Sequence, residues 1–451
     1  MLDLIQDVVK KFDELTLNKE IQVISHHDTD GITSASIITK ALQRAGKNFT
    51  VRIVKQLEES VINELPQNKV ILFIDLASNS FEYIKNLKTE VFILDHHEIN
   101  SEIPANVTII NPHLIKEQEI SGAGLAYLFA KALDEKNIDL SYLAIIGMVG
   151  DQMEKNLGKI YQTILNESKV IVKRGIILYP ATRPIDKVLE YNSDIYIPGV
   201  TGSSSGVNTF LRDIGIQRVG KQFKTIIELD NEELSRLITA ITLQRIDGGD
   251  QSSLIGNIYL VNFLNRLEDA RQISAMINAC SRLGESGTAI AFCLQNKKAK
   301  LRADDIYTEY KKNIVKALDA IPKLKQMEEK NYLIINAEDK IKDTMIGTIA
   351  SIISNSRNYE EGKAIIAMAY NENKIKVSAR MVGKSGRNIR ELLNSVIEIV
   401  GGEVGGHKAA AGCLIEKNKE GEFIKELKKM LEIELIKIWL FVSNNKPINN
   451  Q

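Results

Sequence analysis

Six histidines occur in the 451 residues, and four of them form two adjacent pairs beside aspartates. His26 and His27 lie in SHHDTDG (25–31), and His96 and His97 in LDHHE (94–98); His113 and His407 stand apart. Imidazoles and carboxylates are the side chains that bind divalent cations and exchange protons near neutrality. In extended chain, alternate side chains share a side. His26, Asp28 and Asp30 are therefore expected to project together, and His27 away from them, in packing or support of a ligand rather than ligation. Gly31 lets the backbone turn sharply and approach a ligand. Acids also end two apolar runs, VILFID (70–75) at Asp75 and VFILD (91–95) at Asp95, and GMVGD (147–151) ends a helical stretch at Asp151. His113, in NPH after a further strand, stays open between ligand and bystander.

Each cluster alone reads as an ordinary cap or turn, since Asp-Gly commonly just turns the chain and Asp30 would cap a helix. Taken together they need another account. So many carboxylates cannot stay ionised side by side without cations. Two divalent ions would resolve the repulsion. Mixed His and Asp donors favour Mn²⁺, with Mg²⁺ possible. Two such ions about 3.5–4 Å apart activate water and neutralise a phosphate, which makes phosphoester hydrolysis the expected chemistry. Asp75 is the expected bridging ligand.

For these groups to meet, the elements carrying them must end on one rim. IQVIS (21–25), TVRIV (50–54), VILFID, VFILD and VTIIN (107–111) are continuously apolar, as in parallel strands buried on both faces. GITSASIITKALQRAG (31–46) has helical spacing at Ile37, Ile38, Ala41, Leu42 and Ala45, with Gly46 as its stop, which makes a βαβ unit with a right-handed crossover. Open α/β sheets bind ligands at the strands' carboxyl ends, where these acids lie. Helices are also expected at 121–134 and 141–149.

The fold class expected is α/β. A doubly wound parallel-sheet catalytic domain covers 1–190, and a linker with a mainly helical insert covers 191–330. A smaller C-terminal α/β domain across a cleft covers 331–440, and a polar tail covers 441–451. Pro180, Pro184, Pro198 and TGSSSG mark the linker. In the last domain, Gly405, Gly406 and His407 present donors to an anion, and Lys376, Arg380, Lys384, Arg387 and Arg390 make a basic segment fit to track phosphates.

Composition narrows the class further. Lys and Arg total 58, as do Asp and Glu, which excludes a globally basic nucleic-acid coat but not a local groove. Cys280, Cys293 and Cys413 are scattered, so neither a disulfide framework nor a thiolate zinc site fits, and a reducing compartment, the cytoplasm, is expected. MLDLIQDVVKKFDEL reads as an amphipathic helix rather than a signal peptide. No apolar run approaches the roughly 18 residues of a membrane span, so no membrane partner is expected.

In order along the chain come HxDxDG (His26 to Gly31), the strand-terminal Asp75, DHH (Asp95-His96-His97) and GxxGD (Gly147 to Asp151). This set resembles the DHH phosphoesterase superfamily. GGHKAAAG (405–412) resembles the GGGHxxAAG signature of the family's associated domain, with Val404 in place of the first glycine. KVSAR (376–380) resembles its substrate-contact strand, with Met381 where a serine often follows. The insert with EDARQISAMINACSRLG (268–284) looks most like the archaeal RecJ-like nucleases, including the GINS-associated nuclease.

The resemblance implies that His26, Asp28 and Asp75 hold one Mn²⁺, and that Asp30, Asp75, His96 and Asp151 hold the other. It implies that His97 contacts the scissile phosphate, that Asp95 orients the histidine pair, and that Ser378, Arg380, Gly405, Gly406 and His407 bind substrate phosphate. The function expected is a manganese-dependent exonuclease on single-stranded DNA or RNA, in DNA replication or repair, with the GINS complex as a partner. Two alternatives stay open: a small-substrate phosphodiesterase for short oligonucleotides or cyclic dinucleotides, and a replisome scaffold. A competent ligand at every expected metal position speaks against the scaffold.

Overall fold

Five apolar runs form one parallel sheet. In a computed structural model of the chain they are β1 (Ile21–His26), β2 (Phe49–Val54), β3 (Val70–Ile74), β4 (Val91–Leu94) and β5 (Val107–Ile110), in the order β2-β1-β3-β4-β5. The structure describes residues 1–115, 119–155, 157–178, 180–191, 197, 199–244, 254–355, 359–383 and 386–444, apart from the side chains of 155 and 433–444. It divides into two units, Met1–Glu309 and Tyr310–Gln451.

In the first unit, helices cover both faces of the sheet. α1 (Leu2–Leu15) buries Ile5, Val8, Val9 and Phe12, one stripe at helical spacing. Phe12 meets Phe92 of β4 and Phe129 of α5 (Gly122–Leu133) edge to face, with centroids 5.1 and 5.2 Å apart. α2 (Thr29–Arg44) and α6 (Ser141–Gly150) pack with α5 in that layer. On the other face, Ile71, Phe73, Val91 and Ile93 bury against Ile62 of α3 (Glu59–Asn63) and Phe81 and Ile84 of α4 (Phe81–Ile84). Both pleat directions are thus apolar, which is why these strands show no alternation. α7 (Lys159–Glu167) completes the layer beside α6.

The rest of this unit is rich in helix, as expected of the insert, but also carries a sheet that the sequence did not reveal. β6 (Ile171–Ile176), β9 (Ile255–Phe263) and β10 (Arg266–Asp269) form an antiparallel sheet in the order β10-β9-β6. Between them come α8 (Ile185–Glu190), α9 (Ser204–Asp213), a ribbon of β7 (Arg218–Val219) with β8 (Gln222–Phe223), and α10 (Asn231–Gln244). Their apolar residues, Leu189, Phe210, Leu237 and Ile241 among them, pack on Ile176, Ile258 and Leu260 as a separate core. The strand pairing joins segments about eighty residues apart, so local periodicity cannot reveal it. EDARQISAMINACSRL also begins as strand rather than helix: Asp269 closes β10 and caps α11 (Ala270–Arg282), accepting from the backbone N–H of Arg271. α12 (Ser286–Cys293) and α13 (Lys297–Ala320) follow. Pro198 lies outside the described residues.

The second unit is a mixed six-stranded sheet. Its strands are β11 (Lys325–Glu328), β12 (Tyr332–Asn336), β13 (Ala364–Asn371), β14 (Lys374–Met381), β15 (Glu403–His407) and β16 (Ala410–Glu416), in the order β11-β12-β13-β14-β16-β15. Val377 and Ala379 of β14 face a core with Leu393 of α15 (Ile389–Val400) and Phe423 of α16 (Glu420–Asn444). The alternate residues Ser378 and Arg380 face α14 (Asp343–Ser354), where Arg380 Nε donates to Ser351 Oγ at 2.9 Å. No helix among the described residues is long and apolar enough to cross a membrane.

Phe12 is buried among aromatic rings at the joint of α1, β4 and α5. Phe12→Ala is expected to destabilise the protein by about 3–5 kcal/mol, measured by chemical denaturation.

Candidate metal centre

β1 ends at His26, and the chain turns at once into α2. Asp28 caps that helix, its Oδ1 accepting from the backbone N–H of Gly31 at 2.9 Å. Asp30 lies in the first turn and is fully buried. The expected extended alternation of His26, Asp28 and Asp30 therefore does not occur, because helix begins at Thr29. A cap and a first helical turn bring the groups together instead. A Cβ at Gly31 would lie 2.3 Å from the carbonyl oxygen of His26, so only glycine permits this strand-to-helix corner.

The other donors arrive from the same rim. Asp75 follows β3 in the left-handed region (φ 59°), which aspartate adopts more readily than most residues, and it is 2% exposed. His96 follows β4, and Asp151 caps the carboxyl end of α6. His26 Nδ1 lies 3.0 Å from Asp28 Oδ2 and 3.7 Å from Asp75 Oδ2. His96 Nε2 lies 3.2 Å from Asp75 Oδ1, 3.3 Å from Asp151 Oδ2 and 3.9 Å from Asp30 Oδ2. Two ligand-competent triads result, His26-Asp28-Asp75 and Asp30-His96-Asp151; a third grouping joins Asp75, His96 and His97. Asp75 faces both histidines, one with each oxygen.

These residues fit divalent cations on a direct observation. Both carboxylate oxygens of Asp75 are buried, and neither has a hydrogen-bond partner. Burying a carboxylate without hydrogen bonds is unfavourable, so divalent cations would suit this site. The neighbours carry the same tension. Burial and the nearby Asp75 push the Asp30 carboxyl up to about 7. Burial, then Asp30 and Asp28, push Asp151 well above the usual carboxylate range. Burial lowers His26 and His96, but Asp28 beside the first and Asp75 beside the second outweigh it, and both imidazoles end well above their ordinary value. Cation ligation, which needs deprotonated donors, would oppose these raised values.

Supporting groups fix the donors. Asp95 is fully buried: Oδ1 takes the backbone N–H of His96 at 2.8 Å and His97 Nδ1 at 2.7 Å, and Oδ2 takes the N–H of Ser78 at 2.9 Å. Burial raises this carboxyl, but His97 outweighs it and holds it below its usual range. His27 Nδ1 sits 3.1 Å from His26 Nε2 and lies outside the ligand groups; burial and His26 push it down to about 3. His113 is likewise outside them, its Nε2 lying 3.0 Å from the carbonyl oxygen of His96.

Sequence reasoning passed over SGAG (121–124) as mere helix. The first N–H groups of α5 grip Asp30, Gly122 at 2.6 Å and Ala123 at 3.0 Å, so a helix amino end faces this fully buried acid. Ser121 caps that helix and is held by the buried Tyr161 hydroxyl, which donates to Ser121 Oγ at 2.8 Å and accepts from its N–H at 3.0 Å. A Cβ at Gly122 would strike the Asp75 side chain at 2.6 Å, and one at Gly147 would strike Asp30 Oδ1 at 2.5 Å. The readable signal was glycine at a helix start and mid-helix, where it is otherwise unfavourable.

In the second unit, Ser378 and Arg380 lie on β14. Gly405, Gly406 and His407 lie on the edge strand β15, paired with Gly412, Ala411 and Ala410, and all three are exposed. These glycines thus belong to the edge of the sheet. Of the basic segment, Arg387 Nη1 donates to the carbonyl of Leu431 at 2.8 Å, and Lys384 lies outside the described residues.

Residues 20–148 match the DHH family, N-terminal domain, residues 178–258 the DHH-CID domain, and residues 329–433 the DHHA1 domain. The chain is 31% identical to the uncharacterized protein MJ0831 of Methanocaldococcus jannaschii, over 96% of this chain and 98% of that one. It is 24% identical to the single-stranded-DNA-specific exonuclease RecJ of Thermus thermophilus, over 37% of this chain and 26% of that protein. The fold resembles the solved structure of Thermus thermophilus RecJ in complex with Mn²⁺, with a TM-score of 0.60 and 18% identity over 95% of this chain and 55% of that one. It also resembles CDC45 from Entamoeba histolytica, with a TM-score of 0.63 and 13% identity over 96% and 99%. The chain thus spans about half of that RecJ structure.

A carboxyl whose folded value is raised opposes folding more as pH climbs above its unfolded value. Metal-free Asp151→Asn is therefore expected to melt about 2–4 °C above the parent at about pH 8, the gap closing toward about pH 5. Its melting shift on adding Mn²⁺ is expected to shrink. Thermal denaturation at both pH values, with and without Mn²⁺, checks both.

Proposed function

Because the chain belongs to the RecJ-like DHH family, we propose that it is a manganese-dependent exonuclease hydrolysing phosphodiester bonds of single-stranded DNA or RNA by a two-ion mechanism. The observation that carries the reading is Asp75: a buried carboxylate without hydrogen bonds, one oxygen toward His26 and the other toward His96. His26, Asp28 and Asp75 would hold one ion, and Asp30, Asp75, His96 and Asp151 the other. Nitrogen donors among the oxygens favour Mn²⁺ over Mg²⁺. When bound, such a pair activates water and neutralises charge on the phosphate.

The chain's own residues do the rest. Asp95 can only accept, so His97 donates to it through Nδ1 and presents Nε2 outward. Burial lowers His97, but Asp95 outweighs it and raises the imidazole above its ordinary value. It can therefore carry a proton and donate to a phosphate oxygen. Gly122 and Ala123 keep Asp30 oriented through both of its oxygens. From the second unit, Ser378, Arg380, Gly405, Gly406 and His407 would bind substrate phosphates, a planar guanidinium and edge-strand N–H groups being good anion donors.

The RecJ of Thermus thermophilus supports the substrate class, being named a single-stranded-DNA-specific exonuclease. The reading extends to a cytoplasmic role in DNA replication or repair, with the GINS complex as partner. The test uses single-stranded DNA and RNA, each labelled at either end, with Mn²⁺, Mg²⁺ or a chelator. Asp75→Asn is expected to lower the rate by about 10³-fold, the equivalent of a few kcal/mol of lost charge stabilisation. Undiminished cleavage by that variant, or full activity in chelator, would refute the two-ion mechanism.

A further inference from the structure

Asp151 caps α6, its backbone N–H donating to the carbonyl of Gly147 at 3.0 Å, and the chain leaves the helix immediately after it. α6 ends at Gly150, Gln152 takes a left-handed conformation (φ 57°), and a single 3₁₀ turn, Met153–Lys155, follows. The turn is tied down through Glu154, whose Oε1 lies 3.0 Å from Nη2 of Arg271 on α11. The same nitrogen donates to the carbonyl of Asn257 in β9 at 3.0 Å. One guanidinium therefore joins the acid rim to the central strand of the insert sheet.

The pair is mostly withdrawn from water, its side chains 13% and 17% exposed. The other oxygen of Glu154 is buried without a hydrogen-bond partner. Loss of Arg271 would thus leave a buried, uncompensated carboxylate, which a strained turn would relieve by swinging outward. α11 is itself anchored to the opposite side of the site. Thr29, between Asp28 and Asp30, donates its hydroxyl to the carbonyl of Ser274 at 3.0 Å, and the two hydroxyls lie 3.1 Å apart. Arg271 and Ser274 are three residues apart and share a helix face.

We propose that Arg271 and Glu154 are positioning residues for Asp151. α11, fixed at Thr29, uses this one ion pair to set the Asp151 carboxylate beside His96. Neither residue belongs to the ligand-competent groups, so both act through Asp151. This rests on the two-ion reading, in which Asp151 is a ligand.

The test is the Mn²⁺ dependence of the melting temperature of the full chain, in Arg271→Gln, Glu154→Gln and the double variant. Each single variant is expected to weaken Mn²⁺ binding about 10-fold, as loss of a group orienting a metal ligand does. Nuclease activity is expected to return at excess Mn²⁺. The double variant removes the unpaired charge, so its metal-free melting temperature should recover while Mn²⁺ binding stays weak. A merely structural pair would restore both together. Wild-type affinity in the single variants, or its return in the double, would overturn the proposal. A wild-type protein with no Mn²⁺-dependent shift would instead overturn the two-ion reading, and this coupling with it.

Discussion

Four carboxylates, those of Asp28, Asp30, Asp75 and Asp151, crowd two imidazoles at the carboxyl rim of one parallel sheet. Repulsion among them is the constraint to which the rest of the first unit answers. Asp30 meets a helix amino end, Asp28 takes an N–H and an imidazole, and Asp151 depends on a neighbouring helix through Glu154. Asp75 has both oxygens buried with no hydrogen bond and an imidazole near each. Protein groups offset part of this tension, and cations would complete it.

The sheet exists to hold this arrangement in register. β1, β3 and β4 are adjacent and parallel, so residues just past their last paired positions emerge side by side. Burial on both faces was legible in the lost alternation, and VILFID and VFILD end in groups at issue while His26 follows IQVIS. The adjacency of the strands was a condition of the expected site and could not be read from local sequence. What carried His26, Asp28 and Asp30 together was not legible as extended chain, because the competing helix start at Thr29 prevailed. His27 illustrates the same limit. Its withdrawal from the ligand groups could be anticipated, but its edge-to-face contact with His26 follows from the tertiary turn.

Two features escaped sequence reading for one physical reason, distance along the chain. β6 pairs with β9 across some eighty residues, and Arg271 reaches Glu154 across more than a hundred. Neither leaves a local period or a motif. The SGAG segment escaped differently: its glycines and serine were visible, but their meaning lies in what presses against them. By contrast, β14 of the second unit stands where KVSAR suggested a strand.

Gly31, Gly122 and Gly147 bring hydrogen atoms, not methyls, against His26, Asp75 and Asp30. An inventory of donors is therefore an incomplete diagnosis for any homologous chain. A homologue could retain every imidazole and carboxylate of the cage and still be unable to assemble it, if a single methyl group occupied the space these positions leave clear.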